Sequence, residues 1–79
     1  MKKTLKAYEV PVVIERDSDG SYFAVAPSLQ GCYTSGKTLE EAFANIKDAV
    51  TLYLEVLRLE HRQIPLRKTV SLTSVEVFA

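Results

Sequence analysis

The sequence predicts a single α+β domain in the order β-β-β-α-β, with one long helix packed on one face of a four-stranded sheet. Three patterns predict it. A β-branched run from Val10 to Ile14 leads into the turn-forming stretch Asp17, Ser18, Asp19 and Gly20. An apolar stripe at spacings of three and four runs from Thr38 to about Glu60. A strand-like pattern then returns between Lys68 and Phe78. With 79 residues there is room for one domain, spanning positions 1–79.

The first strand covers Lys6 to Arg16, where Tyr8, Val10, Val12 and Ile14 alternate on one face. The Asp-Gly pair after it is a hairpin cue, and Tyr22 to Ala26 is the returning strand. A loop made of residues 17–20 places Arg16 opposite Ser21, Ile14 opposite Phe23 and Val12 opposite Val25, since antiparallel partners keep a constant sum. One sheet face is then fully apolar. The other, carrying Glu9, Val13, Glu15, Tyr22, Ala24 and Ala26, is mixed. Pro27 ends the second strand, and Gly31 to Ser35 offers a short third one centred on Tyr33 and Thr34.

Thr38, Leu39, Glu40 and Glu41 fit a capping box, in which the Thr38 hydroxyl accepts from the Glu41 N–H and the Glu41 side chain returns the bond. Leu39, Ala42, Phe43, Ile46, Ala49, Val50, Tyr53, Leu54 and Leu57 make up the stripe of a helix roughly 33 Å long. After Pro65, the residues Val70, Leu72, Val75 and Val77 predict a fourth strand beside the first. Its apolar phase slips by one near Thr73 and Ser74, as a bulge would make it do.

Composition narrows the function classes. Ten basic and ten acidic residues cancel, so the chain lacks the positive surplus on which sequence-independent nucleic-acid binding draws. Direct nucleic-acid binding by this chain alone is not expected. The basic start, Met1 to Lys6, is not followed by a signal-peptide core, and no apolar run approaches the roughly 20 residues of a membrane span. One cysteine excludes an internal disulfide, which points to a reducing, cytoplasmic setting and leaves self-association, as a dimer or tetramer, to supplement a small core.

No residue set reads as catalytic, and neither a cofactor nor a metal site is expected. The Asp17–Gly20 stretch lacks the later ligands of a calcium loop and reads as a turn. Cys32 has one distant candidate base, His61, and no third partner, so it reads as a buried structural thiol. His61 reads as a helix C-terminal residue. Glu40 and Glu41 point about 100° apart on a helix and serve its N-terminal electrostatics. Gly31 and Gly36 lack phosphate-loop spacing. Tyr22 and Tyr33 read as protein-contact residues, because tyrosine offers large area at low entropic cost.

The segment Pro27-Ser28-Leu29-Gln30-Gly31-Cys32-Tyr33, followed by Gly36-Lys37-Thr38-Leu39-Glu40-Glu41-Ala42 and Asn45 and preceded by the Gly20 to Tyr22 hairpin, resembles the HicB-like antitoxin family. The resemblance covers about Tyr8 to Leu57, with Ser28 and Lys37 standing where that family commonly has an acidic residue. It implies a partial ribonuclease H-like fold without the acidic metal cluster of ribonuclease H itself. It also implies a protein that is not an enzyme but binds and neutralises a small mRNA-cleaving toxin of the HicA type by occluding its active site. Members often bear an added DNA-binding domain; here about twenty residues follow the helix and read as strand. The expected interface for a toxin or for homo-oligomer contacts is Glu9, Val13, Glu15, Tyr22, Ala24 and Tyr33. The alternative is an orphan homo-oligomeric regulatory or small-ligand-binding module with no toxin partner.

Overall fold

The structure is a computed structural model that describes residues 6–65 and 67–79; the basic start before Lys6 lies outside them. Three short strands, β1 (Val13–Arg16), β2 (Tyr22–Val25) and β3 (Tyr33–Gly36), form an antiparallel sheet in the order β1-β2-β3. One helix, α1 (Leu39–Leu59), covers one face. It packs chiefly against β3, less against β2 and least against β1.

The hairpin corrects the expected register. Gly20 N–H donates to the Asp17 carbonyl at 3.0 Å, and Asp17 N–H donates to the Ser21 carbonyl at 2.8 Å. The loop proper is therefore Ser18, Asp19 and Gly20, closed by Asp17 and Ser21, with Gly20 at φ 91° as a bulge residue in the left-handed region. Asp19 fixes Ser21 in the loop by accepting from its N–H at 2.9 Å and its hydroxyl at 2.6 Å, and these bonds hold the Asp19 carboxyl below its ordinary pKa. Partners become Val13 and Val25, Ile14 and Ala24, Glu15 and Phe23, Arg16 and Tyr22. One residue of shift reverses β2: Tyr22, Ala24 and Ala26 face the helix, while Phe23 and Val25 face away.

That reversal builds the core from small residues. Ala24, Ala26, Leu29, Cys32, Ala42 and Ile46 are buried together, with Val10, Val12, Ile14, Tyr22, Ala49, Val50, Tyr53 and Leu54 packed around them. The Pro27 to Cys32 segment is a plug: Leu29 and Cys32 are both buried, held by Leu29 N–H to Ala26 carbonyl and Cys32 N–H to Leu29 carbonyl bonds of 3.0 and 3.1 Å. Gly36 explains the junction that follows. A Cβ at Gly36 would sit 2.5 Å from the Ala42 backbone nitrogen, so only glycine lets the first turn of α1 close on the end of β3.

Thr38 caps α1 by accepting from Glu41 N–H at 3.0 Å. The Glu41 side chain returns to the Lys37 N–H at 3.3 Å, one residue before the position a capping box would use. At the other end, His61 N–H donates to the Arg58 carbonyl and Arg62 N–H to the Leu57 carbonyl, with His61 at φ 55°. This is a Schellman ending with histidine where glycine is usual.

The expected fourth strand is not formed within the chain. Residues 67–79 make no backbone–backbone hydrogen bond among the described residues, and Val70, Leu72, Val75, Val77 and Phe78 are 74–93% exposed. The sheet has three strands, and nothing among the described residues covers these side chains.

Candidate functional site

The sheet face turned away from α1 is an ordered surface of six residues. Across the strands, Val13, Val25 and Tyr33 form one row; Glu15, Phe23 and Ser35 form the next. Tyr33 is 63% exposed, and Val13, Phe23 and Val25 are half-buried. The Phe23 and Tyr33 rings lie diagonally, with centroids 5.8 Å apart and planes at 34°.

Four of the six expected interface residues stay away from the helix-facing core: Val13, Glu15 and Tyr33 stand on the outer face, and Glu9 is exposed just before β1. The other two do not. Ala24 is fully buried beneath α1, and Tyr22 packs against the core, with the Arg16 guanidinium 5.7 Å from its ring centroid. Phe23 and Val25, which the apolar alternation places inward, take their places. The signal that could have found them was the Gly20 bulge, which adds one residue to one side of the hairpin.

Two apolar grooves flank α1. One, between the helix and the start of β3, is lined by Tyr33, Leu52, Val56 and neighbours; the other, beside β1, is lined by Tyr8, Val10, Val12, Phe43, Val50 and Leu54, among others. Phe43, a member of the expected core stripe, is 59% exposed at this second groove, where a sheet of three strands falls short of it.

Groups capable of chemistry stand apart. Burial pushes the Cys32 thiol above its ordinary pKa, which favours the unreactive protonated form. Among the described residues no group of three or more His, Cys, Asp and Glu is placed to hold a metal ion, and no helix is long and apolar enough to cross a membrane. What the fold presents is surface: a helix-backed sheet with an aromatic outer face.

That arrangement defines a small α+β domain, one long helix on a three-stranded antiparallel sheet. Residues 10–77 match the family described as HicB-like antitoxin of bacterial toxin-antitoxin systems, and the chain belongs to that family. It is similar to a UPF0150 protein of Synechocystis, 45% identical over 58 residues that cover 73% of each chain. A UPF0150 protein of Thermoplasma acidophilum is 46% identical over 54 residues, 68% of this chain and 78% of its own. One from Helicobacter pylori is 40% identical over 68 residues, 86% of this chain and 93% of its own. No solved structure matches the chain.

Proposed function

We propose that this protein is a cytoplasmic antitoxin that binds a small mRNA-cleaving toxin of the HicA type and neutralises it by laying the outer sheet face over the toxin's active site. The observation that carries the reading is the uncovered grid of Val13, Phe23, Val25 and Tyr33, edged by Glu15. Apolar and aromatic side chains at the centre of a patch are the anchors of protein interfaces. The carboxylates of Glu15 and Glu9 at its border suit a toxin that must be cationic to hold an RNA backbone. Family membership supplies the class of partner.

In this scheme no residue does chemistry; inhibition is occlusion. The fold that accompanies this role is ribonuclease H-like, a sheet completed by a fourth strand at the free edge of β1.

The test is coexpression with the product of the adjacent reading frame, if that product is a short basic protein, followed by copurification and a toxin mRNA-cleavage assay. Wild-type chain is expected to copurify and to suppress cleavage in proportion to its concentration, and the Phe23→Ala, Tyr33→Ala double variant to release cleavage while keeping its circular dichroism spectrum. Full suppression by the double variant would overturn the assignment of the face.

A further inference from the structure

The chain carries an uncovered arm of strand-like sequence and an unpaired sheet edge. From Arg67 to Thr69 it passes Glu9, Val10 and Pro11 at the foot of β1, and the arm that follows buries none of its large apolar side chains. The radius of gyration is 15.0 Å, against about 12 Å for a compact chain of this length. The greatest extent is 55 Å, whereas a helix of 21 residues accounts for only about 31 Å. The family match runs through residue 77, so the arm belongs to the matched domain.

We propose that Val70–Phe78 is a strand donated to the free edge of β1 in a second copy of this chain, the two copies exchanging arms about a twofold axis. This interaction is distinct from toxin binding, which uses the outer face.

The edge of β1 is the fitting acceptor for three reasons. First, the arm starts beside β1 of its own chain, and an exchanged element occupies in the partner the place it would take in a closed monomer. Second, on β3 the other edge is partly engaged: Asn45 Nδ2 donates to the Ser35 carbonyl at 2.9 Å. Third, the groove beside β1 is about 450 Å³ of apolar space walled by Val10, Val12, Phe43, Val50 and Leu54, which a strand at that edge would roof. Phe43, left uncovered by three strands, falls under the fourth.

The arm's own pattern suits this seat. Val70 and Leu72 share one phase and Val75 and Val77 the other. A bulge at Thr73 and Ser74 turns both pairs toward the groove. Nine arm residues and a receiving edge and groove of similar size, counted reciprocally, bring about twenty residues a side into contact, the size of a standard stable interface. Five large apolar side chains held 74–93% exposed in a single chain are thereby removed from water.

Light scattering with size-exclusion chromatography on the full chain, together with filtered NOE spectra of a dimer mixed from ¹⁵N- and ¹³C-labelled copies, tests the exchange. The expected result is a dimer with intermolecular contacts between residues 70–77 and residues 10–16. The Val75→Asp, Val77→Asp double variant is expected to run as a monomer with an unchanged helical spectrum, because those side chains lie outside the body of their own chain, and the Phe23→Ala, Tyr33→Ala variant to remain dimeric. A monomer whose arm contacts its own β1, a dimer joined through β3 or the outer face, or a dimer that survives both aspartates would each overturn it.

Discussion

Phe23 and Tyr33 meet diagonally across β2 and β3, rings 5.8 Å apart, on the one sheet face that no part of the described chain covers. Phe23 is half-buried, but Tyr33 is 63% exposed and contributes little to folding, because most of its area remains wet. Its value lies in what it can bury on association, and there a central aromatic anchor is worth about 2 kcal/mol or more. The Tyr33→Ala substitution is therefore expected to weaken toxin binding by roughly 30-fold while changing unfolding free energy by less than about 1 kcal/mol. Titration calorimetry beside urea denaturation checks both halves of that statement, and a matched loss in the two would sink it.

Gly36 sets the angle at which α1 leaves the sheet. Alanine there would place its methyl carbon against the Ala42 and Glu41 backbone at 2.5–2.9 Å, which only a shift of the helix start can relieve. Gly36→Ala is expected to cost about 2–3 kcal/mol in urea denaturation, more than the same change at an open position. Full stability in the variant would show that the junction is looser than its geometry.

His61 holds a left-handed backbone that a side chain resists. His61→Gly removes that strain and keeps both closing hydrogen bonds, at some cost in unfolded-chain entropy. A gain of about 0.5–1 kcal/mol is expected, read as a rise of roughly 2–8 °C in Tm. A fall in Tm would mean that the imidazole makes a contact outweighing the strain.

Cys32 is 4% exposed, and burial raises its pKa above the ordinary 9.0. Folding favours the protonated thiol, so the stability linked to it is fully present below pH 9.0 and is lost as pH climbs through the raised folded value. At neutral pH, alkylation by iodoacetamide is expected to wait on unfolding, with a rate that climbs along the urea transition. Fast labelling of the native chain would contradict the burial.

Much of this fold is legible in the sequence, for identifiable reasons. The bounds of α1 follow from Thr38, Glu41 and an uninterrupted apolar period, and the structure sets them at Leu39 and Leu59. The three strands follow from Val13, Ile14, Tyr22, Phe23 and Tyr33, residues suited to a half-buried pleat. The face of β2 was not legible from composition, because Phe23 and Val25 are the more apolar pair and yet turn outward; Gly20 decides it through backbone conformation. Nor did the helical stripe reveal that Leu52, Val56 and Leu59 form a second exposed row on α1, since a period locates apolar residues without saying how wide a sheet lies beneath them.

The Gly20 bulge acts as a parity switch. A strand alternates sides with every residue, so one insertion or deletion between Asp17 and Ser21 exchanges what β2 shows to solvent for what it shows to α1, leaving every other residue of the protein unaltered. Relatives that differ by one residue at this tip would display alanines where this chain displays phenylalanine and valine. Hairpin length, more than the identity of any single side chain, then governs which molecules can settle on the sheet.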